Sequence, residues 1–361
     1  MSRASHSALF LRASERLSGE LELVERAMRE QLQAAHALIP AVGEHILGAG
    51  GKRLRPLLLF LAAELCGYSG PRRVQVAAAL ELLHNATLLH DDVVDLGVLR
   101  RGREAANALW GNRRAVLVGD FFYASASSMI VDDGDLEVLC VFSNCIKLMA
   151  EGEIIQLQRS FDSEVSETHY YDVISRKTAS LLSAACELGA IMGGVTRAER
   201  RRLAEFGQEL GLAFQLRDDA LDYEADEQTL GKRTYTDLRE GKITLPLLLT
   251  LKRATPAEQA RISALLKEVA QSEAGGVARA GSAESEREAH RPTLAAAAQA
   301  GAVVDVCTIV ELVRHYRGVE DTLCRAEEHA ARAAACIAPF ADAFAKQALL
   351  GAAVYAVERA T

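Results

Sequence analysis

The seven prolines of this 361-residue chain stand at positions 40, 56, 71, 246, 256, 292 and 339, so none falls between Arg72 and Leu245. Proline ends or kinks a helix, because it lacks an amide donor and its ring clashes with the preceding turn. A proline-free span of this length is therefore open to a long succession of helices. Apolar residues within it recur at threes and fours: Val76, Leu80 and Leu83 with Thr87, then Leu203, Phe206 and Leu210 with Phe214. That is helical spacing, and the alternation of β-branched and aromatic residues that marks strands is scarce. Many of these segments are apolar on most sides, as expected deep in a bundle. The fold class read from this pattern is all-α, with 1–361 forming one large bundle rather than two domains.

Breaks fall at Gly67-Tyr68-Ser69-Gly70-Pro71, over 97–102, and at Asp132-Asp133-Gly134-Asp135. The Ser- and Arg-rich start, about 1–18, reads as a frayed tail. Over 271–302 the composition turns to Ala, Gly, Ser and scattered charge, which predicts a mobile connection with some nascent helix. Half of the residues are hydrophobic and a quarter charged, enough for a substantial core and too apolar for a disordered chain. A net charge of -8 argues against a nucleic-acid binder. The longest nearly uncharged apolar run, 57–63, is far short of the ~20 residues a membrane span needs. The seven cysteines are scattered, without a CxxC pair, which predicts free thiols and a cytoplasmic location.

Two acidic clusters carry the chemistry: His90-Asp91-Asp92-Val93-Val94-Asp95 and Arg217-Asp218-Asp219-Ala220-Leu221-Asp222. Both read DDxxD. On a helix, positions i, i+1 and i+4 fall within an arc of about 100°, so each trio projects to one side. Three like charges on one face repel, and local propensity does nothing to favour them. Divalent cations would neutralise them, and Mg²⁺ with a phosphorylated substrate suits carboxylates completed by water. An acidic solvated face is the plain alternative for one such motif. Two complete copies in an all-α chain weigh strongly against it.

Cations suited to phosphate lie in separate groups. Gly50-Gly51-Lys52-Arg53-Leu54-Arg55-Pro56 places three beside a glycine pair and a helix-opening proline, where backbone N–H groups would help grip an anion. Arg100-Arg101-Gly102 follows shortly after Asp95, and Lys177-Thr178, Lys232 and Lys242 lie near or after the second cluster. Each group alone is an ordinary surface charge. Together they describe a site for two anions and several metals.

These segments resemble the trans-isoprenyl diphosphate synthases. GGKRLRP, LLHDDVVD followed by RRG, the pair Gly119-Asp120, EGEIIQ, Lys177-Thr178, FQLRDDALD, Gly231-Lys232 and EGKITLP stand in that family's order and spacing from about Gly43 to Leu248. The resemblance is greatest to the long-chain branch that makes quinone side chains. It implies antiparallel helices around a central cavity, a homodimer, and Mg²⁺-dependent head-to-tail condensation of isopentenyl diphosphate onto an allylic prenyl diphosphate. It also implies the roles of single residues. Asp91 and Asp95 would ligate two metals and Asp218 a third, with Asp92, Asp219 and Asp222 supporting them through second-sphere or water contacts. Arg100, Lys177, Gln215 and Lys232 would hold the allylic diphosphate, and Lys52, Arg55, His84 and Arg101 the isopentenyl diphosphate. Thr178 and Gln215 would face the developing cation. His84, on a mostly apolar helix, also reads as a satisfied core histidine.

In this family the growing chain runs along the helix of the first aspartates. Short-chain members carry bulky aromatics where this chain has Ala86 and Thr87, so a long product is implied, octaprenyl by first choice. Phe122, Met129 and Ile130 are candidates for the tunnel floor and equally for plain core. Release of so apolar a product would suit peripheral contact with a bilayer. Two positions depart from the family: Tyr235 stands where a glycine is usual, and Arg217, where an apolar residue is common, is expected to pair with Asp222 or fold outward. The rival readings are a shorter-chain geranylgeranyl diphosphate synthase and a non-catalytic partner subunit. A cyclising terpene synthase would carry a different second metal motif.

Overall fold

The computed structural model describes residues 3–33, 36–48, 50–51, 53–100, 102–224, 235–284 and 306–358. Helices account for nearly all of them, as the apolar spacing predicts. In chain order these are α1 (Arg3–Arg16), α2 (Ser18–Gln31), α3 (Leu38–Leu47), α4 (Leu54–Leu65) and α5 (Arg72–Val94). A hairpin follows, β1 (Leu99–Arg100) antiparallel to β2 (Arg103–Glu104), with Arg100 opposite Arg103 and Gly102 at φ 76 in the turn. Then come α6 (Ala106–Trp110), α7 (Asn112–Asp133), α8 (Leu136–Leu157), α9 (Glu167–Ile174), a π-helical turn (Ser175–Ala179), α10 (Ser180–Met192) and α11 (Arg197–Glu224). The chain continues with α12 (Thr236–Arg239), α13 (Leu245–Arg253), α14 (Pro256–Glu284), α15 (Cys307–His315), α16 (Gly318–Ile337) and α17 (Phe344–Glu358).

Helix ends follow local chemistry. Thr196 and Glu199 form a reciprocal capping box ahead of α11, Thr196 N–H donating to Glu199 Oε2 at 2.9 Å and Glu199 N–H to Thr196 Oγ1 at 3.3 Å. Thr255 and Glu258 do the same for α14. Gly134, left-handed at φ 77, closes α7 at the expected Asp132–Asp135 break.

The chain divides into two compact units. The first comprises Met1–Glu151, Ser175–Phe214 and Glu327–Arg359. Its centre is α4, buried along the whole of 57–63, together with α5, whose side chains from Val76 to Leu83 are almost all inside. Helix α10 lies so close to α4 that a Cβ at Gly189 would sit 2.6 Å from the Leu59 carbonyl oxygen, which explains a glycine there. The start of the chain corrects the expected frayed tail. Phe10, Ala13 and Leu17 are buried, the Phe10 ring lies 5.4 Å from that of Tyr355 on α17, and the Arg16 guanidinium sits 4.4 Å over the Phe344 ring.

The second unit comprises Gly152–Ile174 and Gln215–Ala326, with the last two residues of the chain. Tyr223, Leu238, Leu245, Leu247, Ile262 and Ile309 are among its buried side chains. Phe161 N–H donates to the Gly241 carbonyl at 2.8 Å, and the hydroxyls of Ser163 and Ser263 are 2.6 Å apart. Helix α14 runs on to Glu284, so the first part of the expected mobile connection is helical, and 285–302 lie outside the described residues. All seven cysteines are free. By length and composition α7 is long and apolar enough to cross a membrane, a test that a core helix also meets.

Candidate active site

In the first DDxxD motif the three aspartates take different roles. It forms the end of α5, with Asp95 as the helix's C-cap. Asp91 and Asp95 are half-buried, whereas Asp92 is 3% exposed and points inward. Asp92 Oδ1 accepts a 2.6 Å hydrogen bond from Arg100 Nε on the hairpin, and its backbone carbonyl accepts from Asn107 Nδ2 at 2.8 Å and from Gly97 N–H at 2.9 Å. Burial raises the Asp92 carboxyl above its ordinary range, against the pull of Arg100. Asp92 thus ties the hairpin to the helix, and it holds Arg100 by Nε. Asn107 carries no signal in the sequence that would have singled it out.

The glycine-rich segment divides its cations. Arg53 is left-handed (φ 45) and buried, with Nε 3.1 Å from Glu25 and Nη1 3.4 Å from Glu81. One of the three expected anion-binding cations is therefore spent on internal carboxylates. Arg55, in the first turn of α4, lies 3.8 Å from the buried Glu81. His84 is half-buried on α5, and its carbonyl accepts from Thr87 Oγ1 at 2.8 Å. Ala86 is buried in the core, as are Phe122, Met129 and Ile130. Lys52, Arg101 and Lys232 lie outside the described residues.

Lys177 and Thr178 lie on the π-helical turn between α9 and α10. Such a turn is rare, recurs at functional sites, and leaves backbone carbonyls without their usual helical partner. Here Gln208 of α11 supplies one: its Nε2 donates to Ser175 Oγ at 2.6 Å and to the Ser175 carbonyl at 3.3 Å. Gly211 on the same helix lets the turn approach, since a Cβ there would meet the Ala179 Cα at 2.5 Å.

The second motif, near the end of α11, shows the same division with different partners. Asp218 and Asp222 are half-buried and Asp219 is 2% exposed. Asp219 Oδ2 accepts from the Tyr170 phenol of α9 at 2.5 Å, and Oδ1 accepts from Gln215 Nε2 at 2.8 Å. Burial, then the neighbouring charge of Asp237, raises the Asp219 carboxyl well above its ordinary range, and burial raises the Tyr170 phenol likewise. Asp222 accepts from the N–H groups of Thr236 (3.0 Å) and Asp237 (3.2 Å), capping α12. Burial raises its carboxyl in spite of these donors. Arg217 does not pair with Asp222; its guanidinium is 3.1 Å from Glu224. Lys242 pairs with Glu240 at 2.6 Å. Tyr235 adopts φ 59, a conformation that glycine takes without strain, and this accounts physically for the family's usual residue there. Its buried ring lies 6.5 Å from that of Tyr223. Tyr170 escaped sequence reading, although it stands two helical turns ahead of Lys177.

Comparison with known proteins matches this arrangement. A model of the polyprenyl synthetase family covers residues 36–280. The octaprenyl diphosphate synthase of Escherichia coli K12 is 40% identical over 93% of this chain and 94% of its own length, and that of Haemophilus influenzae 38% identical over 94% of each. Among solved structures, a polyprenyl synthase from Caulobacter crescentus complexed with calcium and isoprenyl diphosphate superposes with TM-score 0.81 and 38% identity, covering 98% of both chains. A decaprenyl diphosphate synthase from Rhodobacter capsulatus gives 0.84 and 35%, covering 98% of this chain and 99% of its own. With paired aspartate motifs on two long helices and relatives matching over nearly its whole length, the chain belongs to the polyprenyl synthetase family of prenyl-chain-elongating transferases.

Proposed function

We propose that the protein is a long-chain trans-polyprenyl diphosphate synthase, acting with Mg²⁺ and producing octaprenyl diphosphate for quinone side chains. The observation that carries this reading is the division within each DDxxD motif: the middle aspartate is locked inside, and the outer ones stay half-exposed on a long helix. Full-length octaprenyl-forming relatives support the product. Small side chains at Ala86 and Thr87 support a long one.

The donor set fits a hard divalent cation. The half-exposed ligand candidates are all carboxylates, hard oxygen donors of the kind that Mg²⁺ takes together with water and substrate phosphate. Asp91 and Asp95 would hold two ions and Asp218 a third; bound there, Mg²⁺ would supply Lewis-acid stabilisation of the departing diphosphate. The remaining work belongs to the chain. Arg100 and Lys177, with Lys232, bind the allylic diphosphate, Arg100 being aimed by Asp92. Arg55 and His84, with Lys52 and Arg101, bind isopentenyl diphosphate, and Lys242 adds positive potential. The Thr178 hydroxyl and Gln215 carbonyl present oxygen dipoles to the positive charge that develops as the allylic C–O bond breaks. The isopentenyl double bond attacks that carbon, and the proton then lost goes to the released diphosphate, so no protein nucleophile is required.

The reading includes a single prenyl synthase domain, a homodimer in the cytoplasm, and peripheral bilayer contact for product release. The outer faces of α7 and α8 support the dimer, since Leu117 is 66%, Val131 61% and Leu136 75% exposed. A second copy would cover this surface, and light scattering of the purified protein would show a dimer mass. The deciding experiment incubates the protein with Mg²⁺, labelled isopentenyl diphosphate and a farnesyl or geranylgeranyl primer, then separates the dephosphorylated products by length. A ladder ending near C40 is expected. An end at C20 would favour the shorter-chain reading, and no incorporation would favour the partner subunit.

A further inference from the structure

We propose that Tyr170 and Asp219 act as a positioning pair that sets which end of the Gln215 amide faces the reacting carbon; this rests on the prenyl-transfer reading above. Gln215 stands one helical turn before Asp219 on α11, and its Nε2 lies 2.8 Å from Asp219 Oδ1. The other oxygen of that carboxylate is taken by the Tyr170 hydroxyl at 2.5 Å. A carboxylate offers only acceptors, so it draws the N–H end of a facing amide and turns the carbonyl end away. The last torsion of a glutamine is soft, and nothing intrinsic to the side chain chooses between its two ends. With the carboxylate held still, the oxygen dipole is presented. With it displaced, the amide rotates and N–H groups face a growing positive charge.

Two observations raise this above simple satisfaction of a buried group. Asp219 is 2% exposed and meets two neutral donors, an expensive setting for a carboxylate if packing were all it served. The Tyr171 ring stands edge-on to Tyr170, with centroids 5.4 Å apart and planes at 76°, which fixes the direction of the phenol. Neither Tyr170 nor Asp219 needs to touch substrate. They are positioning residues acting through Gln215.

The test is a double-mutant cycle on the full-length enzyme with saturating Mg²⁺. Tyr170→Phe should lower kcat about tenfold, part of the hundredfold or more typical of losing a preorganised dipole. KM for both substrates, the Mg²⁺ concentration for half-maximal rate, and the calorimetric affinity for an unreactive allylic thiodiphosphate should stay within about twofold. In a Gln215→Ala background, Tyr170→Phe should cost less than about twofold more. Asp219→Asn, able to offer an N–H where the carboxylate offered only acceptors, should lose more kcat than Tyr170→Phe; it serves in the same cycle should Tyr170→Phe not fold. Additive losses in the double mutant, or a large shift in Mg²⁺ dependence, would assign both residues to packing or to the metal and overturn the proposal while leaving prenyl transfer intact. A wild-type protein that neither incorporates isopentenyl diphosphate nor binds the thiodiphosphate would overturn the functional reading, and this proposal with it.

Discussion

Asp92 and Asp219 hold the same place in their motifs and are almost equally buried, yet one meets a guanidinium and the other a phenol and an amide. In the first motif the buried charge is compensated on the spot, by an arginine contributed from a hairpin eight residues on. In the second, no lysine or arginine among the described residues forms an ion pair with Asp219. Burial raises both carboxyls, but the second more, because Asp237 and Asp218 add like charge where Arg100 opposes the shift at the first. Identical sequence motifs therefore need not be electrostatically equivalent. The first motif is self-contained, and the second gains most from cations arriving with the substrate.

The strongest challenge to this division is to remove the outer carboxylates. Asp91→Ala and Asp218→Ala should each lower turnover by at least about a thousandfold, roughly 4 kcal/mol of transition-state stabilisation, with unchanged circular dichroism. Near-wild-type activity in either would end the metal assignment. Arg100→Ala leaves the Asp92 charge buried without its partner, at a cost of about 2–4 kcal/mol in urea unfolding, and Tyr170→Phe should cost about half of that. Equal losses would erase the contrast between the motifs. Alanines stand at the same distance ahead of each motif, Ala86 and Ala213, both buried. Replacing either with Phe should cost about 1–3 kcal/mol through overpacking, but only Ala86→Phe should shorten the product ladder. An unchanged ladder would remove the tunnel argument.

A pH series sharpens the same point. Because the folded carboxyl of Asp219 is raised, its ionisation weighs against the fold above the unfolded value near 3.9, and the penalty fades as pH falls through the folded value toward that one. Metal-free Asp219→Asn should thus melt above wild type at pH 8, with the gap closing as the pH approaches about 4. The smallest effect belongs to Arg201→Ala, away from both motifs, whose i,i+4 partner Glu205 is a surface carboxylate; about 0.5 kcal/mol or less is expected.

Helical class was legible because the apolar spacing is dense and proline is absent across the middle of the chain. The DDxxD motifs were legible because like charges packed that tightly have no local cause. Which aspartate turns inward was not, since that depends on Arg100 and Tyr170 arriving from other elements. The start of the chain misled through composition: Phe10, Ala13 and Leu17 make one narrow apolar stripe among Ser and Arg, too slight to stand out until α17 covers it. The helix that runs on to Glu284 agrees with the nascent helix expected at the start of that stretch, where alanine favours helix. Arg217 and Arg53 show a further limit. A cation's position in the sequence does not reveal which of several carboxylates it will meet.

Asp222 both ends a motif and grips the backbone of Thr236 and Asp237, fourteen and fifteen positions further along the chain. Chain points that far apart are pinned to within a hydrogen bond, so the entropy of closing the interval is already spent on a side chain belonging to α11. Successive side chains on a helix point about 100° apart, so moving the carboxylate by a single position along α11 would release both N–H groups. The start of α12 is thereby located by the helix that carries the second motif, and a shift in the register of one would be felt by the other.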